Sequence, residues 1–124
     1  MFEHDRAAAA LGIEALEPTG ELVRLQMRVT EQMLNAHGMA HGGYVFVLAD
    51  TAFGCACNRD GSVTVAAGAA IDFVAPVRLG DVLVAEAIER SRSGRSGIYD
   101  VTVRAGGGDG EVVAEFRGRS RTVS

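Results

Sequence analysis

The residues most able to do chemistry lie between Asn35 and Asp50, in the stretch NAHGMAHGGYVFVLAD. A polar, glycine-rich turn leads there into an apolar run, and Asp50 lies inside that run. Asp50 is the only residue with a formal charge from Gly42 to Asn58. Burying an ionised carboxylate costs free energy unless something stabilises it, and such carboxylates are often functional. Asp50 is therefore a candidate base or nucleophile, and the alternative is a helix carboxylate held by a structural hydrogen bond.

Gly42 and Gly43 stand where this apolar run begins. The first backbone N–H groups of a helix have no partner within it, and the helix dipole is positive at that end. Glycine also has no side chain to keep an approaching oxygen away. The pair could therefore donate backbone hydrogen bonds to a developing oxyanion. It could also serve only as a tight turn into the helix.

The composition is that of one small globular domain. The chain has 124 residues, 48% of them hydrophobic and 23% charged, which predicts a single domain over residues 1–124. The net charge of −4 argues against a broad basic surface for nucleic acid, although not against a local basic pocket. No segment resembles a signal peptide, and no apolar stretch reaches the ~18 residues of a membrane span. We therefore expect a cytoplasmic protein without a nucleic-acid or membrane partner.

The two cysteines, Cys55 and Cys57, lie in the same apolar run. A C-x-C spacing without a nearby histidine cannot complete a four-ligand zinc site, so no metal site is predicted. On a helix the two side chains would point in different directions, which argues against a mutual disulfide. Two buried thiols in a reducing compartment are the expectation.

Apolar periodicity places one buried helix among strands. Residues 2–11 are predicted to form a short helix, and Gly12 and the Pro-Thr-Gly cluster at 18–20 then break the chain. Strict alternation over residues 22–29 predicts a half-buried strand. The apolar run from residue 43 to about 58 is too long for a typical strand, so it is predicted to be a buried helix.

Four further strands follow this helix, at residues 63–74, 82–89, 96–105 and 112 to about 122. A polar linker at 90–95 and a glycine-rich hairpin loop at 106–110 connect the last three. Small residues at 66–70 indicate a strand that lies beneath the helix. One helix cannot cover a five-stranded sheet and keep its own side chains from water. We therefore expect the sheet to wrap around the helix and the chain to associate into dimers.

A motif within this order resembles a known family. The pattern N-x-x-G-x-x-H-G-G-x-x-x-x-L-A-D is similar to that of the hotdog-fold acyl-CoA thioesterases, and most to the phenylacetate-degradation type. It is carried by Asn35, Gly38, His41, Gly42, Gly43, Leu48, Ala49 and Asp50. Further matching segments are residues 71–73, 76, 80–81, 97–101 and 116–120, so the resemblance covers nearly everything from 21 to 121.

The resemblance implies an α+β hotdog fold, with an antiparallel five-stranded sheet around one long buried helix and a short N-terminal helix. It implies hydrolysis of aryl or arylacetyl thioesters of coenzyme A by a homotetramer of two dimers. Coenzyme A is then part of the substrate, and no separate cofactor is expected. The Gly42 N–H would polarise the thioester carbonyl, and Asp50 would activate water or attack directly; we favour water. Asn35 would position the nucleophile or the thioester, and His41 would support the turn or contact the thioester.

The spacing of the two central residues predicts a shared site. Asp50 lies eight residues beyond Gly42, or about 12 Å along a helix. That distance is too great for both residues to act on one carbonyl carbon within one subunit. A second helix running antiparallel would bring the Asp50 of one subunit to the Gly42 of the other. If both are catalytic, the active site lies at a dimer interface.

The rest of the substrate needs further contacts. Gly43 would lie beside the substrate, and Thr51, next to Asp50, is a candidate for the acyl pocket. The phosphates of coenzyme A need cations or backbone donors, and Arg92 and Arg95 in the polar linker are candidates. Solvated loop charges are the alternative for both arginines. Some relatives carry a Ser or Thr on the second strand, whereas this chain has alanine there, which argues against hydroxyl assistance.

Two other functions remain open on the same fold. One is a hotdog hydratase or dehydratase, which uses a histidine and a carboxylate for C–H proton transfer; the HGGxxxxLAD arrangement argues against it. The other is a non-catalytic acyl-CoA-binding or regulatory module. Asp50 argues against that module, because binding alone does not need a buried carboxylate.

Overall fold

The computed structural model describes residues 2–107 and 109–124. One antiparallel sheet and one long helix make up most of the fold. The elements are α1 (Arg6–Ala10), β1 (Glu14–Thr19), β2 (Leu22–Arg28), α2 (Gly42–Cys57), β3 (Thr64–Phe73), β4 (Val82–Ser93), β5 (Ser96–Ala105) and β6 (Glu111–Thr122). The strand order is β1-β2-β4-β5-β6-β3, and every neighbouring pair is antiparallel. The predicted hotdog architecture is confirmed, including the short N-terminal helix.

The sheet has six strands, not five, because β1 was missed. β1 lies at the sheet edge, and no described strand pairs with its outer side. Proline has no N–H, so Pro18 is tolerated where no neighbouring strand needs that donor. The pairing register with β2 also shifts between Leu16 and Thr19. All but one of the β1 residues are exposed, so the sequence shows no apolar alternation there.

The polar linker predicted at residues 90–95 is mostly strand. β4 continues to Ser93, and only Gly94 and Arg95 form the turn into β5. Gly94 has a φ of 61°, which suits glycine. In the hairpin loop predicted at 106–110, Gly106 and Gly107 also have positive φ values. Gly108 lies outside the described residues.

The core forms between α2 and the inner face of the sheet. Leu48, Ala49 and Ala52 are fully buried, and Phe53 packs against Gly118 of β6. A Cβ at Gly118 would lie 2.7 Å from the Phe53 ring, so glycine is what lets the helix come this close.

The prediction that the small residues of β3 lie beneath the helix is wrong for most of that strand. β3 is the other edge of the sheet and pairs only with β6 among the described strands. Seven of its ten residues are exposed, including Val65 and Phe73, and Val74 directly after the strand is also exposed. An edge strand of this length with apolar side chains leaves a row of backbone groups free to pair with another chain.

Candidate active site

The loop before α2 is ordered by the Asn35 side chain. Its Oδ1 accepts hydrogen bonds from the backbone N–H of His37 at 2.8 Å and of Met39 at 3.1 Å. Gly38, with a φ of 77°, makes this tight turn possible. Within the described residues the Asn35 amide nitrogen makes no hydrogen bond. The residue therefore shapes the turn through its oxygen and keeps two donors available.

His41 is the N-cap of α2, and its contribution comes from the backbone. Its N–H donates to the Met33 carbonyl at 2.8 Å, and its carbonyl accepts from the Tyr44 N–H at 3.1 Å. The exposed imidazole makes no capping hydrogen bond. Through its backbone His41 fixes the direction in which the chain enters the helix.

Gly42 and Gly43 are the first two residues of α2. Their N–H groups make no hydrogen bond to any other described residue, as expected for the first turn of a helix. The two glycines differ in their surroundings. A Cβ on Gly42 would lie 2.7 Å from Cζ of Phe73, whereas nothing lies within 4 Å of the same position on Gly43. Of the two, only Gly42 has a neighbour that a Cβ would displace, and that neighbour is the outer end of the Phe73 ring.

A cavity of about 480 Å³ opens at this end of the helix. Asn35 and Gly42 both line it, together with Met39, Val45 and Phe73. The structure therefore brings two of the predicted site residues into one cavity. Its wall is mostly apolar, which suits an acyl chain or an aromatic ring.

Asp50 lies outside that cavity, on the third turn of α2. It is half-buried, and within the described part of the chain its carboxylate makes no hydrogen bond or ion pair. Burial raises the pKa of Asp50, and the nearby Asp5 carboxylate raises it further. The alternative of a structural hydrogen bond therefore finds no partner among these residues. A carboxylate with a raised pKa is a stronger proton acceptor.

The hydroxyls of Thr51 and Thr64 both make hydrogen bonds within the protein. The Thr51 hydroxyl donates to the Val47 carbonyl at 2.7 Å, one turn back along α2. Thr64 is buried in a network with Ser62, Thr122 and Asn58 at the far end of the helix. Neither hydroxyl lines the cavity at Gly42.

The two candidate arginines lie away from this cavity. Arg92, on β4, lines a separate cavity of about 290 Å³ near the C-terminal end of α2. Its guanidinium lies 3.3 Å from the Asp60 carboxylate and 3.9 Å from that of Glu89. Arg95 is exposed in the β4–β5 turn, where its carbonyl accepts from the Thr122 N–H at 2.7 Å. Of the two, Arg95 makes no ion pair with any described residue.

The cysteines have little nucleophilic character. Cys57 is buried, and burial raises the pKa of its thiol to about 11, which keeps it protonated. The pKa of Cys55 is also raised by burial and then by Asp5. Over residues 2–107 and 109–124, no group of three or more His, Cys, Asp or Glu side chains could hold a metal ion. No helix in that part is long and apolar enough to cross a membrane.

The chain matches proteins of known family over most of its length. Residues 37–112 match the model of the thioesterase superfamily. The chain is 42% identical over 123 residues to the acyl-coenzyme A thioesterase PaaI of Escherichia coli K12, covering 99% of this chain and 86% of that protein. It is 43% identical over 112 residues to a putative esterase of Deinococcus radiodurans, covering 90% and 75% of the two chains.

The fold agrees with these matches. The structure of the E. coli PaaI protein from the phenylacetic acid degradation operon superposes with a TM-score of 0.93, covering 100% of this chain and 88% of that one. The chain therefore belongs to the thioesterase superfamily, as its motif predicts. Within that superfamily it is a thioester hydrolase similar to PaaI.

Sequence reasoning missed two residues beside the predicted site. Phe73 belongs to a segment that carried the resemblance, but nothing in its spacing shows that its ring reaches Gly42. Asp5 lies 45 positions before Asp50 in the sequence, and only the packing of α1 brings the two charges into interaction. Ala8 of α1, which is 1% exposed, anchors that helix to the core.

Proposed function

We propose that this protein hydrolyses acyl-coenzyme A thioesters, and that its preferred acyl groups are aryl or arylacetyl. The observation that carries the proposal is that two polar groups of α2, the Gly42 N–H and the Asp50 carboxylate, have no hydrogen-bond partner among the described residues. Gly42, whose N–H is unpaired among the described residues, lines a largely apolar cavity, and the half-buried Asp50 carboxylate has no ion-pair partner among those residues. These are an oxyanion donor and a base, the two groups that thioester hydrolysis requires.

The proposed reaction uses both groups on one carbonyl. The Gly42 N–H donates to the thioester oxygen and stabilises the negative charge that develops on it. Asp50 takes a proton from a water molecule, whose oxygen attacks the carbonyl carbon. When the tetrahedral intermediate collapses, the carbon–sulfur bond breaks, and the proton held by Asp50 passes to the leaving thiolate. The products are the free acid and coenzyme A.

The proposed site is shared between two copies of the chain. Gly42 and Asp50 are about 12 Å apart along α2, and Asp50 does not line the Gly42 cavity. A second α2 running antiparallel would place its own Asp50 near this Gly42. The exposed edge of β3 supports such pairing, because a second β3 could continue the sheet across a two-fold axis. A homodimer, or a dimer of such dimers, is the proposed assembly.

The remaining predicted residues take supporting roles. The free donors of Asn35 would position the thioester or the water, and the His41 backbone would hold the turn. Gly43 would leave room beside the thioester. Thr51 would line the acyl pocket with its methyl group, because its hydroxyl hydrogen is directed to Val47.

For the coenzyme A phosphates, Arg95 is the stronger of the two arginine candidates. The Arg92 guanidinium is already shared by Asp60 and Glu89, whereas the Arg95 side chain has no such partner in the described part of the chain. In an antiparallel pair, the β4–β5 turn of one copy lies toward the Gly42 end of the other. Arg95 could then contact phosphates attached to a thioester bound at the neighbouring cavity.

The aryl preference is supported by the relative and by the cavity. The E. coli relative comes from a phenylacetic acid degradation operon. A cavity of about 150 Å³ is enough to hold benzene, so the 480 Å³ at the start of α2 has room for an arylacetyl group and part of the pantetheine arm.

One assay tests the function and its rivals. The purified protein is offered phenylacetyl-, benzoyl- and straight-chain acyl-CoA, and released thiol is followed. A parallel sample contains an enoyl-CoA, and loss of its double bond is followed. We expect release from all three classes, fastest with an aryl substrate. Binding of the thioesters without thiol release would favour the non-catalytic module. Water addition to an enoyl-CoA, again without thiol release, would favour the hydratase.

The shared site has its own test. Asp50→Asn and Gly42→Ala subunits are co-expressed and compared with each variant alone. Half of the randomly formed dimers are mixed, and each mixed dimer has one intact site of two, so activity should return to about a quarter of wild type. If both residues acted within one chain, co-expression would restore nothing.

A further inference from the structure

Phe73 has an unusual position for a large apolar residue. It ends β3 and is 53% exposed. Its ring nevertheless lies against Gly42, so closely that a Cβ there would be 2.7 Å from Cζ and 3.0 Å from Cε2. The exposed ring therefore lies against Gly42, the residue whose backbone N–H is proposed to hold the thioester oxygen.

Phe73 also differs from the aromatic residues of the core. Phe53, Phe116, Phe46 and Tyr99 pair with one another, with ring centroids 5.4 to 5.7 Å apart. Phe73 pairs with no other ring among the described residues. A ring without an aromatic partner, on the wall of a mostly apolar cavity, can accept an aromatic group from a ligand.

The position of Phe73 fits the groups nearest the thioester carbonyl, the acyl group among them, and not the distant nucleotide part of coenzyme A. A carbonyl oxygen bound at the Gly42 N–H fixes the carbonyl carbon within a few ångströms of that amide. The first atoms of the acyl group are then next to the Phe73 ring. The phosphates and adenine of coenzyme A lie at the far end of a long arm and cannot reach the same ring while the carbonyl is held.

We propose that Phe73 is the residue that determines acyl specificity, by packing its ring against the aromatic ring of an aryl or arylacetyl thioester held at Gly42. The inference rests on the proposed thioesterase function and deepens it. Aromatic rings in contact prefer edge-to-face or offset geometry and gain more than their buried area alone provides. An unbranched acyl chain would fill the same space without that gain.

The test compares two substrates that differ only in the acyl group. kcat/KM is measured for phenylacetyl-CoA and for octanoyl-CoA with the wild type, Phe73→Leu and Phe73→Tyr. Leucine keeps the site apolar and removes the ring, whereas tyrosine keeps the ring. Val65→Ala, at an exposed apolar position near the other end of β3, is the matched control. Melting temperature and solution mass are recorded for every variant.

We expect Phe73→Leu to lower the ratio of phenylacetyl-CoA to octanoyl-CoA efficiency about fivefold to tenfold. Phe73→Tyr should keep the ratio within about twofold of wild type, and Val65→Ala should leave it unchanged. An equal loss on both substrates would overturn the proposal, because it would mean contact with the shared coenzyme or a structural role. An unchanged ratio would overturn it as well.

Two further outcomes separate this inference from the proposed function. If the wild type hydrolyses both thioesters but the ratio does not respond to Phe73, only the inference fails. If the wild type hydrolyses no thioester, the proposed function fails and the inference with it. Should Phe73→Leu lose its fold or its dimer, Phe73→Met replaces it, because its flexible side chain refills the space without a ring.

Discussion

The two ends of α2 each border a cavity, but they differ in whether their polar groups are paired within the protein. At the C-terminal end, Arg92 lies between the carboxylates of Asp60 and Glu89. At the N-terminal end the Gly42 N–H has no protein partner within the described residues, and neither has the Asp50 carboxylate in the middle of the helix. Charges that pair with one another stabilise the fold, whereas unpaired polar groups are available for a ligand.

The difference also appears in the proton affinities. Glu89 accepts a hydrogen bond from the Tyr99 hydroxyl at 2.9 Å. Burial, followed by this bond and by the Glu89 charge, raises the pKa of Tyr99 to about 12, so the hydroxyl stays protonated. Asp50 has a raised pKa without such a bond. The C-terminal end is therefore a closed network, whereas Asp50 is a free base.

The largest expected effect is that of Asp50→Asn. We expect kcat for thioester hydrolysis to fall by about 10²-fold to 10⁴-fold, because asparagine cannot accept the proton. Asp60→Asn, at the other end of the helix, is the matched control and should keep full activity. Undiminished hydrolysis by Asp50→Asn would remove Asp50 from the proposed mechanism.

The same substitution should not destabilise the fold. Because the folded pKa of Asp50 is raised above its unfolded value, its stabilising contribution is present below the unfolded pKa and is lost as pH rises through the folded pKa. At neutral pH the ionised carboxylate therefore opposes folding. Asp50→Asn should melt at or above the wild-type temperature at pH 7 and lose that advantage in acid. A clear drop at pH 7 would indicate a structural role.

The next comparison is between the two glycines at the start of α2. Gly42→Ala should lower kcat by about 10²-fold, because the new Cβ meets the Phe73 ring and shifts the amide or the ring. Gly43→Ala meets nothing within 4 Å. It should lower kcat far less than Gly42→Ala, through the space it takes beside the thioester, and stabilise the helix by up to about 1 kcal/mol. Equal losses in kcat would show that the space beside Gly42 is not what matters.

A smaller effect is expected from Asp5→Asn. The Asp5 charge disfavours the ionised form of Asp50, so its removal should lower the pKa of Asp50. The acid limb of the pH–rate profile should therefore move to lower pH. Burial is the larger cause of the raised pKa and persists, so the shift is partial. Asparagine also caps helices well, so α1 should keep the capping bond that Asp5 makes to the Ala8 N–H at 2.9 Å.

The shape of the pH–rate profile distinguishes an electrostatic effect of Asp5→Asn from a structural one. A structural effect of Asp5→Asn would lower the rate at every pH and leave the profile in place. Movement of the acid limb without loss of the plateau would mean that the Asp5 charge acts on the base itself. An unmoved limb would contradict the electrostatic coupling.

The parts of the molecule that could be predicted from sequence are those set by local pattern. The α2 helix and the strands β2 to β6 follow from apolar periodicity, and the position of Gly42 at the helix start follows from its place before the apolar run. β1 could not be predicted, because an exposed edge strand needs no apolar alternation and tolerates Pro18. The edge position of β3 is set by strand order, which small side chains do not encode.

The candidate site was predictable only in part for the same reason. The motif identifies Asn35, Gly42 and Asp50. The rise per residue of an α-helix also predicts that Gly42 and Asp50 are too far apart to act on one carbonyl within one chain. The position of the Phe73 ring and the charge of Asp5 depend on how distant segments pack. A single sequence does not show such contacts, because nothing in the local sequence around Phe73 or Asp5 is unusual.

The smallest expected effects concern the two arginines. Arg95→Gln should raise KM for acyl-CoA severalfold with kcat unchanged, because it would remove a contact to a phosphate that is the same in ground and transition states. Arg92→Gln should change KM by less than about twofold and the free energy of unfolding by less than about 1 kcal/mol, as for other partly exposed ion pairs. If the reverse pattern were found, with KM dependent on Arg92 alone, the paired C-terminal end of α2 would be the coenzyme site. The contrast between a closed structural end and an open functional end would then fail.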